Sequence, residues 1–192
     1  MTFGKQRGQS LVEIALFLPV FLILITGIFE LGYFFLSYID VLDATREAAR
    51  YGADLHPGIT KLNKECNTTN DFYAVIACYG AYSLGKNLNP ENGYDDVVVS
   101  AYIIINGTVS FRYEPWSLYG NQQSRFDNVA INESFGTGPC PQGIVIVEMW
   151  YRHKQILGLP LWTWAVPDPI PLYGYTIMPN ATATLIAKEI CQ

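Results

Sequence analysis

Four cysteines, two histidines and a few acidic residues in apolar surroundings are the side chains of this 192-residue sequence that could do chemistry. Cys66, Cys78, Cys140 and Cys191 form no CxxC pair, and His56 and His153 are the only histidines. A zinc site therefore lacks ligands at useful spacing. An even cysteine count outside a membrane is the pattern of two disulfides in an oxidising compartment. Three pairings are possible. We expect Cys66 with Cys78, tying a helix to the segment before it, and Cys140 with Cys191, tying down a C-terminal strand. Neither histidine has a Ser or Cys nucleophile near it, and no GxSxG, HExxH or phosphate loop occurs. Asp95-Asp96 has no companion ligands and reads as a solvated turn. These patterns give no ground for an enzyme, a metal or a cofactor. Glu13 and Glu30 are different, because each interrupts an apolar stretch, where a carboxylate is unfavourable unless it is paired.

The elements that hold these two carboxylates begin with the N-terminal third. Hydrophobic residues make up 50% of the chain and charged residues 15%, where about 25% charged is usual for a soluble domain. The formal charge is −5, from 12 Lys+Arg against 17 Asp+Glu, without a basic run. That excludes the clustered basic face that nucleic-acid binding needs. From Ile14 to Phe29 the only polar residue is Thr26, and Leu31–Phe35 continue the run past Glu30. About 20 apolar residues cross a bilayer, so the segment is long enough if Glu30 lies near the outer interface or is paired. Lys5 and Arg7 precede the span, and Asp40 and Asp43 are the first charges after Glu30. The positive-inside tendency then puts the N-terminus in the cytoplasm and the remainder outside. A secretory signal would end on a small-residue cleavage site, whereas here Leu31, Tyr33, Phe34 and Phe35 carry the apolar run onward.

The helix is expected to continue beyond the membrane. Tyr38, Val41, Leu42, Thr45, Ala48, Ala49 and Gly52 recur at spacings of three and four, a narrow stripe rich in small residues. Asp43 and Arg46 can pair on its polar side. Helix from Ser10 to Asp54 would be roughly 65–70 Å long, with Pro19 tolerated as a kink inside the span.

Arg7-Gly8-Gln9-Ser10-Leu11-Val12-Glu13-Ile14-Ala15, Leu18-Pro19, Gly27-Ile28-Phe29-Glu30-Leu31-Gly32 and Ala44-Thr45-Arg46-Glu47-Ala48-Ala49-Arg50-Tyr51 together resemble the start of TadE-like proteins. The resemblance covers about residues 7 to 53. It implies a minor pilin or pseudopilin role in assembling tight-adherence (Flp-type) pili or related surface machines. The partners it implies are the cytoplasmic membrane, a prepilin peptidase, other pilins and pilus assembly proteins. It also implies cleavage after Gly8, leaving Gln9 as the new N-terminus and Glu13 as the fifth residue. Glycine at position 8 lets a peptidase approach the backbone closely. Two readings of Glu13 stay open from the residues alone. It can pair with a free α-amino group of its own or a neighbouring chain, or lie in the headgroup layer where the helix dipole favours an anion. The resemblance favours pairing and places Glu13, Pro19 and Glu30 in subunit packing.

Beyond the helix, the sequence indicates an exterior domain of the α+β class. Asp71–Leu84 reads as a second helix with Phe72, Val75, Ile76, Tyr79 and Tyr82 on one side, capped by Asn70 or Asp71 and ended by Gly85. Val97–Ile105 and Thr108–Tyr113 flank Asn106-Gly107, a strong hairpin signal. Ile144–Tyr151 and Ala181–Ile190 read as a third and a fourth strand. Residues 114–139 read as irregular. Residues 157–179 hold five prolines with Trp162, Trp164, Tyr173 and Tyr175, and read as a loop that cannot be a central strand. Its aromatics either cover the sheet or mark a subunit or membrane-interface contact. Asn67, Asn106, Asn132 and Asn180 head Asn-x-Ser/Thr sequons, which an exterior domain permits.

The expected organisation is a leader over residues 1–8, a long helix over 9–54 that is transmembrane in its first part, and an exterior α+β domain over 55–192. A single-pass pilus subunit accounts for these features. The rival is a membrane-tethered binding module for which the helix is only an anchor, and it needs no cut after Gly8.

Overall fold

The computed structural model describes residues 7–54, 72–135, 142–158, 163–164 and 166–180. The chain forms α1 (Arg7–Asp54), α2 (Phe72–Ser83), a 3-10 turn (Pro90–Asn92), β1 (Asp96–Ile105), β2 (Thr108–Ser117), α3 (Asn128–Phe135), β3 (Gln142–His153) and β4 (Ile170–Asn180). A long apolar helix, then a second helix and an antiparallel sheet, make the α+β class read from the sequence. Two compact units result, Met1–Ser37 with His153–Ile170, and Tyr38–Arg152 with Pro171–Gln192.

In the second unit the sheet order is β2-β1-β3-β4. Asn106 and Gly107 both take positive φ (50° and 76°), the tight turn whose twist matches antiparallel strands, and Ile105 faces Thr108 across it. β1 pairs antiparallel with β3 as well, with Val97 opposite Met149 and Tyr102 opposite Ile144. The runs Asp96–Ser100 and Gly143–Trp150 are buried without alternation. The reason is cover on both faces. Tyr102, Ile104, Ile144 and Ile146 form one core cluster with Ile131 of α3. Val97, Val145 and Met149 point the other way, toward Gly52 of α1 and Gly80 of α2. Each large aliphatic side chain buried in this way contributes about 1.5–3 kcal/mol.

The stripe on the second half of α1 is what packs: Val41, Ala44, Thr45, Ala48 and Ala49 are all buried. Small residues let the backbones approach closely, and a Cβ on Gly80 would stand 3.1 Å from Ala48 Cβ. Thr45 Oγ1 lies 3.0 Å from Thr176 Oγ1, Tyr51 stacks on Tyr79 with ring centres 4.6 Å apart, and Lys86 reaches Asp40 at 2.7 Å. The expected Asp43–Arg46 pair forms at 3.0 Å on the exposed side, where such a pair adds little stability.

Three expectations are corrected. α2 buries Ala74, Ala77 and Gly80 as well as Val75 and Ile76 of the expected face, and of that face's tyrosines Tyr79 stacks on Tyr51 of α1 while Tyr82 stays exposed. Residues 114–139 are not wholly irregular: β2 runs on to Ser117, and α3 begins at a cap in which Asp127 Oδ1 accepts from Ala130 N at 2.8 Å. The proline-rich stretch ends in β4, at the sheet edge where proline is tolerated. The strand expected over 181–190 lies outside the described residues, as do Asn70, Asp71, Asn67, His56 and Trp162.

The first unit holds the apolar part of α1 and the segment that follows β3. Gln155 closes that segment on itself: its N–H donates to Asp168 Oδ1 at 3.1 Å, and its Nε2 donates to Val166 O at 3.2 Å. His153 is buried, with ring centres 5.5 Å from Tyr33 and 6.0 Å from Phe34.

Candidate functional site

Apolar residues from Leu11 to Leu24 are exposed all round α1, so this part of the helix has no stripe and no core to face. Only 6% of its most apolar window is buried by the rest of the chain, and the helix is long and apolar enough to cross a membrane. A soluble core helix of the same composition would be mostly covered. The helix passes through Pro19 without ending, as spans can when neighbouring groups take up the freed carbonyl. Thr26 turns its hydroxyl back onto Ile23 O at 2.9 Å, so the one polar side chain of the run is satisfied within its own helix.

The two carboxylates of the helix are placed differently. Glu13 stands among Ile14, Phe17 and Phe21 on an exposed face. Glu30 is half-buried and accepts the backbone N–H groups of Ile156, at 3.2 Å, and Leu157. A charge on an apolar helix is thus satisfied inside the chain, by donors that would themselves need partners in lipid. Gly8 and Gln9 lie in the first turn of α1.

Sequence reasoning missed a second group of acids. Asp96, expected in a solvated turn, is fully buried and takes five donors: Val97 N, Ser117 Oγ, Tyr119 N, Asn121 N and Gln122 N, at 2.6–3.0 Å. Asp95, also buried, accepts from Asn89 N at 3.0 Å and Arg152 N at 2.8 Å. Glu148, buried in mid-strand, accepts from Ser124 Oγ, Arg125 N and Tyr173 OH. These acids organise the chain between β2 and α3, and each lone pair spent on a backbone N–H is one less for a cation. Among the described residues no group of three or more His, Cys, Asp or Glu is placed to hold a metal. The signal for Glu148 was present in the sequence, as the one acid inside Ile144–Trp150.

The aromatics of the proline-rich stretch divide. Tyr173 packs on Trp150 and Tyr175 on Phe126, both with ring centres 5.0 Å apart, which is cover for the sheet. Trp164 does not, and is 88% exposed. Cys78 is disulfide-bonded, while Cys66, Cys140 and Cys191 lie outside the described residues. Asn132 Oδ1 accepts from Val109 N at 2.7 Å, and Asn180 is buried.

These features define a class: a protein with, among its described residues, one helix suited to cross a membrane, and an α+β unit. The particular kinship follows from comparison. Residues 8–50 match the family model of TadE-like protein, so the resemblance carried by Arg7–Tyr51 is shown over that stretch. The match lies wholly within α1 and ends before the sheet. No curated protein and no solved structure matches the chain.

Proposed function

We propose that the protein is a minor pilin or pseudopilin that takes part in assembling a tight-adherence type pilus. α1 holds it in the cytoplasmic membrane as a single pass, with the N-terminus cytoplasmic and the α+β part outside. One observation carries the reading: the stretch that matches TadE-like proteins, residues 8–50, contains the helix surface that the rest of the chain leaves uncovered. An apolar surface of that extent needs lipid or other helices beside it.

Cleavage after Gly8 by a prepilin peptidase supplies the remaining chemistry. It frees an α-amino group at Gln9 and makes Glu13 the only acid between Gln9 and Phe29. Alone in lipid that carboxylate is unfavourable by at least about 2.5 kcal/mol. The free amino group of a neighbouring subunit compensates it and fixes the axial register between helices. Pro19 and Glu30 belong to the same packing surface. The role is structural rather than catalytic, and its partners are the peptidase, other pilins and the pilus assembly proteins. The Cys66–Cys78 and Cys140–Cys191 disulfides brace the exterior part.

Glu13→Gln tests this, since it keeps the size and removes the charge. The variant should insert and fold as the parent does, yet fail to co-purify or crosslink with the other pilus components. Should Glu13→Gln assemble as well as the parent, α1 is only an anchor and a membrane-tethered binding module is the better reading.

A further inference from the structure

We infer that Gln155, Ile156 and Leu157, with Trp164 and Val166 further along the chain, form a second membrane contact, seated at the outer headgroup–acyl boundary beside α1. The inference rests on α1 crossing the membrane and adds a lipid surface that the helix alone does not supply. Depth comes first. Glu13 and Glu30 are 17 residues apart, about 26 Å of helix at 1.5 Å per residue, against a hydrocarbon core of roughly 30 Å. With Glu13 just inside the inner limit of the core, where a neighbour's amino group pairs with it, Glu30 lies near the outer limit. Glu30 in turn holds Ile156 and Leu157 at that level, because its oxygens accept their N–H groups.

Composition comes next. Ile156 is 59% exposed and Leu157 45% exposed, although both hang on a residue of the span. Val166 is also exposed, and its carbonyl is tied to Gln155 Nε2 at 3.2 Å, so Gln155 and Val166 stay together. Trp164, two residues from Val166, is therefore within about 7 Å of that tie along the chain. An indole with an apolar body and one N–H donor is suited to the interface. A cleft of about 270 Å³ is walled by Gly27, Leu31, Phe34 and Val166 together with Glu30 and His153. Its wall is mostly apolar, which suits an acyl chain. Lipid is the occupant that all these observations share: exposed apolar side chains held to Glu30, satisfied backbone donors and an exposed tryptophan close by in the chain.

The test uses the full chain in liposomes and reads tryptophan emission. Parent protein is compared with Trp164→Phe, using lipids brominated near the headgroup and acrylamide in the water. Bromolipid should quench the parent, and Trp164→Phe should remove at least about half of the quenchable emission, as expected for an interfacial indole. Quenching of Trp164 by acrylamide alone would overturn the inference, and so would quenching by neither agent, which means protein covers the residue. Glu30→Ala releases both N–H groups and should move Trp164 toward acrylamide, whereas an unchanged ratio would remove Glu30 as the depth-setting residue. Flotation of the parent with liposomes separates the two failures. A chain that does not float refutes the span, and one that floats with Trp164 unquenched by bromolipid refutes only the second contact.

Discussion

At the scale of the residue, the unexpected feature is how much of the α+β unit is organised by buried carboxylates. Glu148 accepts the Tyr173 hydroxyl at 2.8 Å, and the Arg125 guanidinium lies 4.0 Å from the centre of the Tyr173 ring. Burial first, and then the bond to Glu148, push the Tyr173 hydroxyl far above the ordinary tyrosine range. Burial also raises Tyr94, Tyr102 and Tyr119. A raised folded-state value means that the folded chain holds the proton more tightly than the unfolded one. The stability so gained is whole below the ordinary tyrosine value of 10.0 and is lost as pH climbs beyond it. Stability of the parent should therefore fall above about pH 10. Tyr173→Phe should be less stable at pH 8 by about 1–2 kcal/mol, from the lost hydrogen bond, yet fall less steeply. Denaturant midpoints across this range decide the matter, and parallel slopes would show that Tyr173 is not the group responsible. Apart from Glu148, the one acid inside Ile144–Trp150, little of this was legible beforehand. Asp95-Asp96 looks the same in a sequence whether it faces water or protein donors, since four of the five donors on Asp96 come from residues more than 20 positions away.

At the scale of the element, periodicity told most where one face was covered by one neighbour. The stripe from Val41 to Gly52 and the Asn106-Gly107 turn were visible because local spacing sets them. α3 was not visible. It is eight residues long with Ile131 as its buried anchor, too little for a pattern to stand out. β4 was hidden by its prolines. The contact between β4 and α1 is a sharp test of the packing. A Cβ on Gly174 would meet Val41 Cγ1 at 2.9 Å and Leu42 Cδ2 at 3.2 Å, so something must shift. Gly174→Ala should lower stability by about 1–3 kcal/mol. Val41→Ala in the same chain should recover part of that loss, because it removes the nearest methyl. Additive losses in a double-mutant cycle would mean that the two positions do not touch.

At the scale of the whole molecule, the chain is built for two solvents. Its first unit leaves apolar side chains uncovered, and its second buries them on both faces of a sheet. The sequence announced the first through run length and the flanking charges. It was vaguer about the second, because a strand buried on both faces reads as a plain apolar run. If the leader is removed after Gly8, the mature chain loses Lys5 and Arg7, and the formal side-chain charge moves from −5 to −7. Intact-mass measurement of membrane-extracted protein should show a chain starting at Gln9. A mature chain that keeps Met1, or that starts beyond Glu30, would remove the pilin reading.

The edges of the sheet bear on how copies of such a chain can meet. Pro171 and Pro179 both lie on β4, eight residues apart and so on the same side of the strand, and neither has an N–H to offer. At the opposite edge, β2 carries two register irregularities against β1. An edge interrupted in these ways is a poor template for a strand from another molecule. Crowding of many copies on one patch of membrane would therefore not zip them together through their sheets into amyloid-like aggregates.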